Sequence, residues 1–168
     1  PVYYILAPSE TSSNLGRYDG VRYGGGRELF TTETRRRIMT GTYALSSGYY
    51  DAYYKKAQKA RSVFITNYSK VLSNYDAILA PVTTVAATKF GELLDDPVMN
   101  MMMDVYNVTV NIVGVPSLAL PCGFTATGLP MGMQLIGNMY GEKTLITLGS
   151  AYQEATDWHT KIPAGKTI

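Results

Sequence analysis

The sequence predicts an α/β fold, and three observations carry that prediction. Stretches with helical spacing alternate with short apolar runs suited to strands, the order that builds a sheet flanked by helices. Hydrophobic residues make up 46% of the 168 and charged residues 17%, enough to fill a real core. No internal repeat or low-complexity tract competes with that reading.

In chain order, "VYYIL" (2–6) is β-branched and aromatic and is expected to be a buried strand. The Ser, Pro and Asn of "APSETSSN" read as turn or cap residues after it. The glycine-rich segment 17–30 lacks an apolar period and is expected to be a loop. From Thr34 a long helical pattern runs through Ile38, Leu45, Tyr49, Ala52 or Tyr53, Ala60 and Val63 or Phe64, with Lys55, Lys56, Gln58 and Lys59 on its polar side. It divides into two helices if Gly48 breaks it. Residues 76–81 form a short strand ending at Pro81, followed by an irregular stretch. Asp96-Pro97 is a helix start, with Asp as N-cap and Pro at the first helical position, and the helix is expected to reach Tyr106 or Asn111. Two strands, 117–124 and 132–138, flank the turn "TATGLP". Residues 142–156 form an amphipathic helix with Leu145, Leu148, Tyr152 and Ala155 facing inward. Residues after Trp158 read as a tail, giving one domain over 1–157 and a tail over 158–168.

Bulk properties exclude several classes of function. A net charge of +2, evenly spread, gives no electrostatic case for nucleic acid or membrane surfaces. No apolar run approaches the roughly 20 residues that a spanning helix needs. One cysteine rules out a disulfide framework within the chain and fits a cytoplasmic, reducing compartment. The chain opens on Pro1 and enters an apolar run at once, so it is expected to be a piece of a longer protein.

Two polar stripes stand out. Arg37, Gly41, Ala44 and Gly48 fall at i, i+4, i+7 and i+11, so a helix would place an arginine at the end of a smooth lane open to another element or a ligand. Arg35, Arg36 and Arg37 at a helix start oppose its positive end, unless an anion is nearby. A guanidinium grips a carboxylate with two parallel bonds, so Arg37 is a candidate carboxylate-binding residue. The plainer alternative is that all three arginines are solvated or pair with neighbouring acids. Asn100, Asp104, Asn107 and Asn111 repeat the same spacing on a methionine-rich segment. A carboxylate there wants a cation, and a ligand ammonium would serve. So would a protein arginine or water on an ordinary exposed face.

Other features carry less. Ser46 and Ser47 invite a nucleophile reading, but serines in helices usually bond back to the preceding turn. The only histidine, His159, lies in the tail, which argues against a Ser-His-Asp triad. Cys122 is expected to be a small core residue at a strand end. Gly24, Gly25 and Gly26 lack the Lys-Ser/Thr of a phosphate loop, and no metal-ligand spacing is present.

The blocks "YYILAPSETSSNLGRYDGVRYG", "RRRIMTGTYALSSGYYDAYYKKAQKAR", "YDAILAPVT", "VNIVGVPSLALPCGF" and "LPMGMQLIG", in this order, resemble the C-terminal part of the amidase-signature enzymes. "RYDGVRYG" and "SSGYYDAYYKKAQK" are most similar to the A subunits of glutamyl-tRNA(Gln) amidotransferases within that family. The resemblance implies a mixed sheet flanked by helices. It also implies hydrolysis of glutamine to glutamate and ammonia, and passage of the ammonia to a partner that amidates Glu-tRNA(Gln). Subunits B and C would be the partners, with tRNA contacted mainly through the partner subunit. The resemblance assigns ATP and magnesium to that partner, with no cofactor in this chain and no membrane.

The family's Ser-cis-Ser-Lys triad belongs to a Gly/Ser-rich block that this sequence does not contain, so no catalytic residue is assigned and the chain alone is expected to be inactive. Matched block by block, Arg37 resembles the arginine that binds the substrate α-carboxylate, Asp104 the aspartate that binds the α-ammonium, and Tyr3 a tyrosine lining the same pocket. One departure is the segment between "RYG" and the arginine-rich helix, which is shorter than in the family. Two other readings stay open: a fragment of a stand-alone small-molecule amidase, and a non-catalytic binding or assembly piece.

Overall fold

The computed structural model describes residues 1–162 apart from 19, 21 and 92–96. The chain divides into two compact units, Pro1–Phe64 and Ile65–Ile168.

The first unit is helical. Helix α1 spans Val2–Leu15, so the strand expected over 2–6 and the turn after it are both replaced by helix. Strand preference is a weak signal that packing overrides. Here Leu6, Pro8 and Ser9 are buried against α2, Thr32–Leu45. The contact is close because Gly41 has no side chain. A Cβ there would run into the Pro8 carbonyl, so α1 meets α2 backbone to backbone. Ala44 is buried on the same helix. The Ser9 hydroxyl donates to the Ile5 carbonyl (2.7 Å) and thus stays satisfied in the interface.

Between the helices, Gly20 and Gly24 take positive φ, as the expected loop requires, and Arg27–Leu29 form a single 3-10 turn. Helix α2 ends at Leu45 with Ser46 extended as its cap, and Gly48, φ 86°, lies just beyond, near the break expected between the two helices. A π-helical segment, Tyr50–Lys55, leads into α3, Lys56–Leu72. The extra residue per turn stacks its tyrosines in pairs: Tyr50 with Tyr54 (5.1 Å between ring centroids) and Tyr49 with Tyr53 (6.0 Å).

The second unit carries the sheet. Strands β1 (Ile78–Pro81), β2 (Ser117–Phe124) and β3 (Pro130–Ile136) lie in the order β1-β3-β2, and both pairings are antiparallel. Ile78 and Ser117 both face Ile136 across their ladders. Buried Gln134 ties the three strands together: its amide donates to the Pro81 carbonyl (2.8 Å), and its oxygen accepts from Ser117 (3.0 Å). The "TATGLP" turn closes with a bond from Thr125 N–H to the Leu129 carbonyl (2.8 Å), and Gly128 supplies its positive φ.

Helix α4 (Pro97–Met103) begins at the predicted proline, while the predicted cap Asp96 lies outside the described residues. The expected single helix is interrupted at Asp104, and α5 continues over Val105–Val113 to Gly114 in the left-handed cap conformation. Helix α6 (Glu142–Ala155) covers β2 and β3 with buried Leu145 and Gly149, the latter against Leu118. Leu148 and Ala155, expected to face inward, are exposed. Gly149 takes the inner place, where a Cβ would press on the tip of the Leu118 side chain. Trp158–Thr160 form a 3-10 turn, with the Trp158 ring 6.2 Å from Phe124.

Candidate functional site

The arginines lie on α2, whose start is well defined. Thr31 caps it, accepting from the Thr34 N–H at 3.2 Å. Glu33 follows in the first turn, where a negative charge suits the helix dipole. From there it reaches forward one turn. Its Oε2 accepts from Arg36 Nε at 2.7 Å and its Oε1 from Arg36 Nη2 at 2.8 Å. Oε1 also accepts from Arg37 Nε at 2.7 Å. Arg35 takes another direction, donating to the Glu28 carbonyl at 3.4 Å.

Three arginines near a helix start therefore have a local explanation. Glu33 supplies the anion at i−3 and i−4, and Arg37 lies in the second turn, where the dipole has faded. Glu33 is the residue missing from the candidates that the sequence suggests. Its spacing from Arg36 and Arg37 is the signal that identifies it. The bonds from both guanidinium groups hold its carboxyl down at about 2, against an ordinary 4.5.

Tyr3, half-buried on α1, lies near the Arg37 guanidinium, and Glu33 with a smaller contribution from Tyr3 holds that group's pKa above its ordinary value. Tyr3 also packs edge-on against Tyr4 (5.2 Å). The close crossing at Gly41 is what brings α1 alongside α2. The small residues after Arg37 thus serve an element of the same chain: Gly41 and Ala44 seat α1, while Gly48 lies beyond the helix. Two of the three predicted site residues, Tyr3 and Arg37, are brought together in the first unit.

Asp104 belongs to the second unit and is exposed. Its backbone, φ −89° and ψ −3°, lies in the bridge region between helix and strand, a conformation common at turns and in active sites. Its carbonyl accepts from the N–H groups of Asn107 (3.0 Å) and Val108 (2.9 Å), and its carboxylate makes no cap bond. The polar stripe through Asn100, Asp104, Asn107 and Asn111 is therefore split at Asp104. The premise of a carboxylate sunk among methionines does not hold, since Met99, Met101 and Met102 are themselves exposed. Asn107 and Asn111 line a small cavity of about 170 Å³ with Ser117 and Gln134.

Ser46 and His159 fit their plainer roles, whereas Cys122 departs from the core position expected for it. Ser46 donates to the Tyr43 carbonyl at 2.7 Å, closing the end of α2. His159 is exposed in the turn after α6. Cys122 is the extra residue of a bulge in β2, half-buried, not part of the core. Among the described residues no cluster of three metal-ligating side chains occurs, and no helix is long and apolar enough to cross a membrane.

Comparison with known proteins gives this geometry a family. The A subunit of the glutamyl-tRNA(Gln) amidotransferase of Roseiflexus castenholzii is 48% identical over 177 residues, covering 97% of this chain and 36% of that protein. Its namesake from Nitrosococcus oceani is 46% identical, covering 98% of this chain and 37% of its own length. The crystal structure of the corresponding glutamyl-tRNA(Gln) amidotransferase A subunit from Thermotoga maritima superposes with a TM-score of 0.73 at 36% identity, over 99% of this chain and 35% of that one. The chain thus spans little more than a third of the relatives it matches. The aligned stretch of 177 exceeds the 168 residues here, so the Roseiflexus protein carries residues that this chain lacks. The family model described as Amidase matches residues 1–146, and the chain belongs to the amidase family.

Proposed function

We propose that this chain is part of a glutamine-hydrolysing amidotransferase and supplies one wall of its glutamine pocket. The observation that carries the proposal is the packing of α1 on α2, which brings Tyr3 close to Arg37. These residues are far apart in sequence, are assigned to one pocket by resemblance, and meet in the fold. The two compact units are read as parts of one amidase domain over 1–157, with 158–168 as a tail.

In this reading Arg37 holds the α-carboxylate of glutamine, its planar fork matching the two oxygens. Asp104 holds the α-ammonium, and its exposure leaves the carboxylate accessible to a ligand. Tyr3 lines the carboxylate end. Fixing both charged ends of one carbon points the side-chain amide at a serine that the rest of the enzyme supplies. Orientation of this kind lowers a barrier by several kcal/mol. Attack by that serine on the amide carbon releases ammonia, and water then frees glutamate. The ammonia amidates Glu-tRNA(Gln) in a complex with subunits B and C, where ATP and magnesium belong to the partner. The compartment is the cytoplasm.

Two assays test this. The 168-residue chain alone is expected to have no glutaminase activity, and joined to the N-terminal part of an amidase-family protein it is expected to gain one that prefers glutamine to simple amides. Activity of the chain alone would overturn the division of labour. Equal use of simple amides would favour a general amidase.

A further inference from the structure

Glu33 stands at the centre of the arginine cluster and has no role in the pocket described so far. Its geometry is specific. Arg36 meets it with two parallel bonds, through Nε and Nη2, which neutralises the Glu33 charge within the pair. Arg37 gives it only Nε, at 2.7 Å. Three charged groups, two positive and one negative, leave one net positive charge, and the Nη nitrogens of Arg37 lie outside its bond to Glu33.

A guanidinium can grip a carboxylate side-on, through Nε and one Nη, or end-on, through both Nη atoms. With Nε taken, only the end-on approach is open. The grip of Glu33 also restrains a long side chain in advance, so less rotamer freedom is lost when a ligand is fixed. We propose that Glu33 is a positioning residue for glutamine: it fixes Arg37 through Nε so that the substrate α-carboxylate is received end-on at Nη, and Arg36 is the anchor that keeps Glu33 in place. This rests on the assignment of Arg37 made above. Glu33 stays bonded to Arg37 when substrate is bound, and the ligand does not displace it. The held-down carboxyl of Glu33 is consistent with this, since it remains a charged acceptor through the working pH range.

The test is steady-state glutaminase kinetics on the full-length protein in its complex, with glutamine and with a simple amide that lacks an α-carboxylate. Glu33→Gln raises KM for glutamine about tenfold, the scale of one charge-assisted hydrogen bond, with kcat and the simple-amide KM unchanged. Glu33→Asp, one methylene short of spanning both arginines, fails to restore KM although it keeps the charge. Arg36→Gln raises KM by a smaller factor, because it loosens Glu33 without touching Arg37. An unchanged KM in Glu33→Gln, or full rescue by Asp, overturns the proposal. So does a lowered KM, which would make Glu33 a competitor of the substrate. Arg37→Lys distinguishes failure of the positioning role from failure of the pocket. If it raises the glutamine KM while Glu33→Gln does not, only the positioning role fails. If it too leaves KM unchanged, the assignment of Arg37 fails first.

Discussion

The surroundings of Arg37 and of Asp104 differ in how they are built. Arg37 is held by a neighbour on its own helix and lies near a tyrosine of α1, on a helix whose crossing with α1 is so close that a glycine is required. Asp104 stands at a break between two helices, exposed, with its backbone carbonyl engaged and its carboxylate outside any capping bond. A long cationic side chain needs props to present a fixed fork. A short carboxylate at a helix break is already fixed by its backbone, and the ammonium it is proposed to meet is symmetrical about its axis and demands less. The two ends of an amino acid thus call for different amounts of scaffolding.

The largest effect that would break this contrast lies in the crossing beneath Arg37. Gly41→Ala places a methyl on the Pro8 backbone, which cannot step aside, and is expected to cost about 2–3 kcal/mol despite the better helix propensity of alanine. Gly149→Ala in the second unit meets only the tip of Leu118 at 2.6 Å, a side chain that can turn away, and should cost less than about 1 kcal/mol. Thermal or denaturant melts of the two variants compare the units directly. Equal losses would show that the first unit is no more tightly specified than the second.

Next come the ligand contacts. In the complete enzyme, Asp104→Ala should raise the glutamine KM by the worth of a charged hydrogen bond, about 1.5–3 kcal/mol, and leave a simple amide untouched. An unchanged KM for glutamine would remove Asp104 from the pocket.

The smallest effect is electrostatic. Glu33 has a folded-state pKa of about 2 against 4.5 for the free group. A lowered carboxyl contributes its stability fully above the unfolded value and loses it as pH falls through the folded one. The contribution therefore fades between pH 4.5 and 2. Both partners are well exposed, so it amounts to no more than about 1 kcal/mol. Melting temperatures of the native chain and Glu33→Gln should converge toward pH 2, and parallel curves would show that the ion pairs add nothing.

Much of the fold is legible in the sequence because its signals are local. The sheet strands, the break near Gly48, the start of α4 at Pro97 and the span of α6 follow from apolar period and from proline and glycine chemistry. Helix α1 reads wrongly as a strand because aromatic and β-branched residues favour one, while the cause of its helicity, burial against Gly41, is distant in sequence. Arg37 is legible as a candidate carboxylate binder from residue type and the lane behind it, and the carboxylate seen on it is that of Glu33. What fills that lane, a helix of the same chain, is not legible. Glu33 is legible by spacing alone, but an external anion explains the same arginines equally well until the side chains are seen to meet. The split of the asparagine stripe at Asp104 has no sequence signal as plain as a proline.

The most direct test of the glutamine pocket is a structure of the full-length protein with glutamine bound. The expected result is the α-carboxylate end-on at Arg37 Nη with bonds of about 2.8 Å, Asp104 on the α-ammonium, and the two charged heads within about 10 Å of each other. Glutamine bound elsewhere, or Arg37 and Asp104 on opposite faces of the domain, would contradict it.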